Sequence, residues 1–140
     1  MEKISIERSV WINVPRERVW QAVTDSRQIG KWWPPDEWDI PQLKAGEQIK
    51  FGKEDPAFGT IAIVDPPHKF VVHWQPTKMF PTNTMTSLVL EEENGGTRLN
   101  VAESGFESLP EDIRDNRIAN VGEGYTLVLG SLKTLLEQAA

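Results

Sequence analysis

The sequence contains no cysteine, so neither disulfide bonds nor thiolate chemistry contribute to its structure or function. It also lacks a run of about 20 apolar residues, the length that a membrane-spanning helix needs. Its first residues alternate like a strand and show no hydrophobic region of a secretory signal. From these absences we expect a cytoplasmic protein without a membrane span.

Clusters of basic residues are missing as well. Lysine and arginine number 15 against 21 aspartates and glutamates, which gives a net charge of -6. Neutralisation of phosphates carries most binding to duplexes and to phosphate-rich membrane surfaces. We therefore expect no nucleic-acid partner.

Histidine is scarce, which limits the chemistry that the chain can perform. A catalytic site needs a positioned base or nucleophile, and a metal centre needs three or four convergent ligands. His68 falls in a proline-rich turn, and His73 falls on the strand face opposite Phe70 and Val72. We favour an outer-face or edge position for His73, and we predict no catalytic residue, no metal and no cofactor.

Tryptophan, in contrast, is abundant, with six residues in a chain of 140. Such side chains build cores, and they also line sites for flat apolar ligands. A chain of this length is most simply one domain, residues 1–140, that buries about two-thirds of its unfolded surface. Five of the tryptophans lie in the first third of the sequence: Trp11, Trp20, Trp32, Trp33 and Trp38.

The last quarter of the chain has the spacing of an amphipathic helix. Its apolar residues fall at 118, 121, 125, 128, 129, 132, 135 and 136, which places them on one stripe. Gly122, Gly124 and Gly130 interrupt this pattern, and each costs about 0.8–1 kcal/mol relative to alanine. Two interpretations are open: close packing against a strand, or a slim helix with something else beneath it. Either way, the three glycines should border a close strand or open space.

The remaining elements predict an α+β domain whose sheet wraps around the final helix. Asn94-Gly95 is the strongest hairpin signal, because both residues tolerate positive φ. A helix from Glu111 to Gln138 would be about 42 Å long in a domain with a radius of gyration of about 14 Å, so we expect a break before Ile118. The predicted strands are 3–13, 37–43, 47–52, 59–64, 69–75, 82–92 and 97–104, and the predicted short helices are 14–25 and 27–32.

Several segments resemble a known family over nearly the whole chain. They are IERSV (6–10), VPRERVW (14–20), KWW (31–33), VDPP (64–67), GGTRL (95–99), SGF (104–106) and, in the terminal helix, GY (124–125), LGSL (129–132) and LLE (135–137). Together they resemble the activator of Hsp-90 ATPase homologue family of the START-like (SRPBCC, Bet v-like) superfamily. Tyr125 stands where this family most often has tryptophan. The resemblance implies a helix-grip fold: a curved antiparallel sheet of six to seven strands around a long C-terminal helix, with two short helices after strand 1.

The resemblance also implies a deep apolar cavity, in which superfamily members bind lipids, sterols, flavonoid-like or polyketide molecules. We therefore expect non-enzymatic binding of a small hydrophobic ligand between the sheet and the final helix. A co-chaperone-like domain with a chaperone partner is one alternative. A cyclase- or hydrolase-like enzyme is another, and it requires an inward-facing acid–base pair such as Glu103 with Tyr125.

We predict an aromatic and aliphatic lining for this cavity. Trp32 and Trp33 are placed near one mouth, although a role as core plugs is equally open, and Met79 with Phe80 forms a candidate flap. The predicted ligand-binding residues are Trp32, Trp33, Trp38, Phe51, Ile63, Phe70, Val72, Trp74, Leu99, Val101, Tyr125, Val128, Leu129 and Leu132.

Two charged residues, Arg8 and Glu103, fall by parity on strand faces that are otherwise apolar. In helix-grip folds the first and last strands are neighbours, and burial of either charge alone would be costly. We therefore predict an ion pair or a polar floor to the cavity. A β-bulge that turns Arg8 outward is the open alternative.

Overall fold

One seven-stranded antiparallel sheet and one long helix form the framework of the protein. The computed structural model describes residues 3–33, 38–52, 56–78 and 80–138. The sheet order β1-β7-β6-β5-β4-β3-β2 confirms the predicted helix-grip α+β fold. The elements are β1 (Ser5–Ile12), α1 (Arg16–Thr24), α2 (Ser26–Ile29), β2 (Trp38–Asp39), β3 (Gln48–Phe51), β4 (Ala57–Asp65), β5 (Lys69–Trp74), β6 (Thr84–Glu93), β7 (Gly96–Ser104), a 3-10 turn (Phe106–Ser108) and α3 (Glu111–Gln138).

The hairpin between β6 and β7 forms where the sequence predicts it. Asn94 and Gly95 have φ values of 49° and 78°, as the tight turn requires. The first strand then returns beside the last, with Ser5 opposite Ser104 and Ile12 opposite Thr97. This pairing places β1 at one edge of the sheet and β2 at the other.

The core fills one end of the space between the sheet and the helices. Helix α1 contacts β6 and β7, and Trp20 on this helix packs edge-on against Phe70 with ring centroids 6.3 Å apart. Ile12, Leu99 and Leu132 have no exposed surface at all. The alternation of apolar residues along the strands and the 3.6-residue stripe on α3 produce this packing.

Helix α3 is continuous from Glu111 to Gln138, so the expected break before Ile118 is wrong. Its buried residues begin only at Gly122 and continue through Tyr125, Leu129, Leu132 and Leu136. The turns before Gly122 lie at the surface or are half-buried. The length of the helix is therefore not limited by the dimensions of the core.

The three glycines of α3 have different surroundings. Gly122 packs against β1, where a Cβ atom would collide with the Arg8 guanidinium and lie 3.8 Å from Ile6. A Cβ atom added at Gly124 would have no neighbour within 4 Å, and this glycine borders a cavity, while Gly130 is exposed to solvent. The prediction of a close strand or open space is confirmed for Gly122 and Gly124 and is wrong for Gly130.

Strand β2 is shorter than predicted, covering Trp38 and Asp39 only. Pro41 has no N–H to donate to a sheet ladder, and the predicted first residue, Glu37, lies outside the described residues. Within the described part of the chain, no helix combines the length and hydropathy needed to cross a membrane.

Candidate functional site

A cavity of about 630 Å³ lies between the sheet and α3, at the opposite end from the packed core. Its walls come from the end of β5, the start of β6, the end of β7 and the middle of α3. The lining residues are Trp33, Trp38, Phe51, Gly52, Ala57, Trp74, Gln75, Thr77, Phe80, Thr82, Thr84, Thr86, Glu103, Val121, Gly124, Tyr125 and Val128.

Five rings form a connected group on one side of the cavity, which we call the aromatic box: Trp33, Trp38, Phe51, Trp74 and Tyr125. Ring centroids are 5.0 Å apart for Trp33 and Trp38, and 4.2 Å apart for Trp38 and Phe51. Trp33 also lies 5.6 Å from Tyr125, and Trp38 lies 6.4 Å from Trp74. The ring planes are inclined at 45–69° to one another, so the five rings pack as one cluster of tilted and edge-on contacts.

Local structure holds the rings of the aromatic box in place. Trp38 and Phe51 are register partners in the β2–β3 ladder, which brings their side chains to the same face. The Trp38 indole N–H donates a hydrogen bond of 3.2 Å to the Trp33 carbonyl oxygen. Trp74, the last residue of β5, donates from its indole N–H to the Thr86 hydroxyl at 2.9 Å.

A polar wall adjoins these rings and consists of Thr84, Thr86, Glu103 and the hydroxyl end of Tyr125. The Tyr125 hydroxyl donates a hydrogen bond of 2.6 Å to Glu103 Oε1. The Thr84 hydroxyl also bonds the Glu103 carboxylate, and the Thr86 hydroxyl bonds the Tyr125 phenol. Thr86 and Glu103 are register partners in the β6–β7 ladder, so one sheet position supplies most of this network.

Burial controls the protonation of both ionisable groups in the polar wall. It raises the pKa of Glu103 above its ordinary value of 4.5, and the hydrogen bonds from Tyr125 and Thr84 oppose it only in part. Burial, followed by the adjacent Glu103 charge, raises the pKa of Tyr125 well above its ordinary value of 10.0. Tyr125 therefore remains a protonated hydrogen-bond donor at neutral pH.

Arg8 does not join Glu103, so the predicted ion pair is wrong. Its Nε donates to the Thr126 hydroxyl at 3.2 Å and its guanidinium donates to the Glu7 carbonyl oxygen at 2.8 Å. In the ladder Arg8 is opposite Val101, while Glu103 is opposite Ile6. The register of β1 with β7 shows no bulge, so the alternative prediction of a β-bulge at Arg8 is wrong as well. Arg8 lies on the helix side at the sheet edge, and only Glu103 contributes to the cavity floor.

Seven predicted residues line the cavity, and their contact with a ligand stays a prediction. Seven others are packed in the core at the filled end of the sheet, where Trp32, for example, donates its indole N–H to the Ala22 carbonyl oxygen at 2.9 Å. Cavity residues are Trp33, Trp38, Phe51, Trp74, Glu103, Tyr125 and Val128. Core residues are Trp32, Phe70, Val72, Leu99, Val101, Leu129 and Leu132.

Ile63 was also predicted to line the cavity, but this residue is 41% exposed. The register of β4 with β5 shifts between Ile61 and Ile63. Such an irregularity inserts one residue and turns the following side chains to the other face. Ile61 is therefore buried while Ile63 faces outward.

The predicted lining missed the two threonines of the polar wall and most of the loop after β5. Thr84 and Thr86 share the parity of Leu88 and Leu90, so the period-two pattern contained the signal for them. Of the predicted flap, Phe80 lines the cavity and Met79 lies outside the described residues. The other missed residues are Gly52, Ala57, Gln75, Thr77, Thr82, Val121 and Gly124.

A curled antiparallel sheet, two short helices after its first strand and a cavity beneath a long C-terminal helix define a helix-grip protein. The model of the family described as "Activator of Hsp90 ATPase homolog 1-like protein" matches residues 13–137, and the chain belongs to this family. Among curated proteins, no sequence relative was found.

Solved structures share the fold along nearly the whole chain. Protein MLL2253 from Mesorhizobium loti has a TM-score of 0.81 and 19% identity, with 99% of each chain covered. The Aha1 dimer from Colwellia psychrerythraea has a TM-score of 0.74 and 21% identity, with 96% of each chain covered. DynU16, from the dynemicin biosynthetic locus, has a TM-score of 0.78 and 21% identity over 96% of this chain and 48% of DynU16. At these identities, the likeness shows the fold alone.

Proposed function

We propose that the protein binds a small hydrophobic molecule of the lipid, flavonoid or polyketide type in the cavity, without chemical conversion. The observation that carries the proposal is the lining: five rings and, adjoining them, a short polar wall. Small-molecule pockets typically measure about 300–1,000 Å³ and combine apolar walls with few polar groups. The cavity of about 630 Å³ has this character.

The shape of the lining favours a ligand that contains a ring system. Aromatic side chains bury large areas and prefer inclined or offset contacts with other rings. Trp33, Trp38 and Trp74 reach the cavity from different elements, so a planar molecule would contact more than one of them. A single polar group on such a molecule would have hydrogen-bond partners at Glu103, Tyr125 and the two threonines.

Tryptophan fluorescence titrated with a flavonoid, a polyketide and a fatty acid tests this proposal. Binding is expected to quench or shift the emission, because three of the six tryptophans line the cavity. Trp74→Phe should reduce the signal, whereas the matched Trp11→Phe, whose indole bonds Glu93 outside the cavity, should not. The absence of any spectral change with all three classes would contradict the proposal.

One contact supports an enzyme as a second candidate. Glu103 and Tyr125 face the cavity at 2.6 Å, as an acid–base pair would require. However, the raised pKa of Tyr125 keeps the phenol protonated, which suits a hydrogen-bond donor better than a base that acts near neutral pH. If a turnover is found, Glu103→Gln should abolish it.

A chaperone partner is the remaining alternative, and the family description names Hsp90. An interaction domain that acts through its surface needs no large interior space. The volume of the cavity therefore favours the ligand-binding proposal. Co-purification of a larger ATPase with the protein, unaffected by cavity-filling substitutions, would support the alternative.

A further inference from the structure

We propose that the cavity selects a hydrophobic cation: an apolar molecule that carries an ammonium group, held between the aromatic box and the carboxylate of Glu103. This inference rests on the proposed function and specifies the chemical class of the ligand. Three independent features of the site lead to it, namely the rings, the carboxylate and the distribution of charge around them.

The rings of the aromatic box are suited to an ammonium group. A cation within about 6 Å of a ring centroid is attracted by the negative face of the π-system, most strongly for tryptophan. Three tryptophans, a tyrosine and a phenylalanine line the cavity as one cluster, and neighbouring centroids are 4.2–6.4 Å apart. Because the planes are inclined to one another, a single ammonium group can approach more than one ring.

Burial of the charged Glu103 carboxylate costs desolvation free energy unless a positive charge accompanies it. Its carboxylate accepts hydrogen bonds from Tyr125 and Thr84, yet it has no lysine, arginine or histidine partner within the described residues. An amide or a hydroxyl would satisfy the same two donors at a lower desolvation cost. A bound ammonium group would supply the missing charge and leave both hydrogen bonds in place.

The charges around the cavity discriminate against an anionic ligand. None of the described lining residues is lysine, arginine or histidine, and Tyr125 is the only ionisable group beside Glu103 among them. The nearby cation, Arg8, is engaged with Thr126 and the Glu7 carbonyl oxygen at the sheet edge. Among the described lining residues, a carboxylate headgroup would therefore meet Glu103 without a counter-charge, whereas an ammonium group would be attracted.

A matched set of naphthalene compounds tests the inference by isothermal titration calorimetry at neutral pH. Naphthylmethylamine is cationic, naphthylmethanol is neutral and naphthoate is anionic, while their ring systems are the same. We expect the amine to bind about ten-fold more tightly than the alcohol, the size of effect that a cation–π contact with a partly buried charge produces. Naphthoate should bind most weakly of the three.

The Glu103→Gln variant isolates the carboxylate, and the exposed Glu91→Gln on β6 is its matched control for loss of one negative charge. The affinity ratio of amine to alcohol should fall toward one in Glu103→Gln and stay near ten in Glu91→Gln. Circular dichroism checks that both variants fold. If Glu103→Gln fails to fold, the comparison of the three ligands on the unchanged protein still tests the inference.

The outcomes separate this inference from the proposed function. Binding of the alcohol and the amine with equal affinity, or preferred binding of naphthoate, would overturn the inference and leave the proposed function intact. The three naphthalene compounds and the flavonoid, polyketide and fatty-acid probes together test both proposals. If none of these molecules binds, the inference and the proposed function are both overturned.

Discussion

The Tyr125 hydroxyl donates a hydrogen bond of 2.6 Å to Glu103 and joins the terminal helix to the last strand across the floor of the cavity. The phenol is held protonated because burial and the neighbouring carboxylate raise its pKa. The carboxylate in turn depends on this donor, since the same hydrogen bond is the largest influence that lowers the pKa of Glu103. Each of the two groups therefore shifts the pKa of the other.

Removal of the Tyr125 hydroxyl should raise the pKa of Glu103 further. In Tyr125→Phe the carboxylate loses its principal donor, and the charged form becomes less favourable. We expect a loss of about 1–3 kcal/mol in the free energy of unfolding at neutral pH. Carbon-13 NMR of the glutamate carboxyl groups measures the titration, and urea unfolding measures the stability.

Thr84→Val is the matched variant for this prediction. The Thr84 hydroxyl also lowers the pKa of Glu103, but by less than Tyr125 does. The upward shift should therefore be smaller in Thr84→Val than in Tyr125→Phe. The reverse order, or no shift in either variant, would show that Tyr125 is not the main donor.

The stability of the protein should depend on pH through Glu103. Folding raises the pKa of this group above 4.5, so the folded chain retains a proton that the unfolded chain releases. The resulting contribution to stability is complete below the unfolded pKa and is lost as the pH rises through the folded pKa. Glutamine does not titrate, so the Glu103→Gln variant does not lose stability in this way as the pH rises.

Relative to the unchanged protein, Glu103→Gln should therefore become more stable as the pH rises from about 4.5, the ordinary pKa, through the raised pKa of the folded Glu103. Urea unfolding of both proteins across this range measures the difference. A difference that stays constant with pH would mean that burial does not perturb Glu103.

A large side chain at Gly124 should occupy the cavity from the helix side. Gly124 lines the cavity and has no neighbouring atom within 4 Å of an added Cβ. We expect Gly124→Leu to weaken binding of naphthylmethanol about ten-fold or more, because the leucine competes for the same space. The fold should persist, since leucine favours a helix more than glycine does.

Gly130→Leu is the control for this substitution. Gly130 lies on the same helix, is exposed, and likewise has no neighbour within 4 Å. Its change to leucine should leave the affinity for naphthylmethanol within about two-fold of the original value. Equal weakening by both substitutions would place the ligand elsewhere than beneath Gly124.

The sequence predicted the topology well because its strands and hairpins are locally encoded. The Asn94-Gly95 turn needs only its own two residues, and the parity of Ile6 and Ile12 sets which face of β1 is buried. The pairing of β1 with β7 joins segments that are distant in sequence, and it was expected only from the resemblance to helix-grip folds. The length of α3 could not be derived in this way. Its first turns are barely buried, so the size of the core sets no limit on the helix.

The candidate site was only partly predictable, for two physical reasons. Helical spacing placed Tyr125 and Leu129 on one stripe, but the open end of the sheet decides that Tyr125 reaches the cavity while Leu129 is packed in the core. Alternation along β4 failed at Ile63, because the inserted residue before it leaves no mark in the pattern. Polar residues such as Thr86 share the strand face of Leu88 and Leu90, but a pattern of apolar residues does not mark them.

The location of the ligand can be measured most directly through the six indole N–H resonances in a nitrogen-15 NMR titration with naphthylmethanol. Trp33, Trp38 and Trp74 line the cavity, whereas Trp20 and Trp32 are buried in the core and Trp11 bonds Glu93. We predict saturable shifts for the three cavity indoles, with the other three unchanged. The account would be contradicted if no indole shifted, or if the largest shifts belonged to Trp11, Trp20 or Trp32.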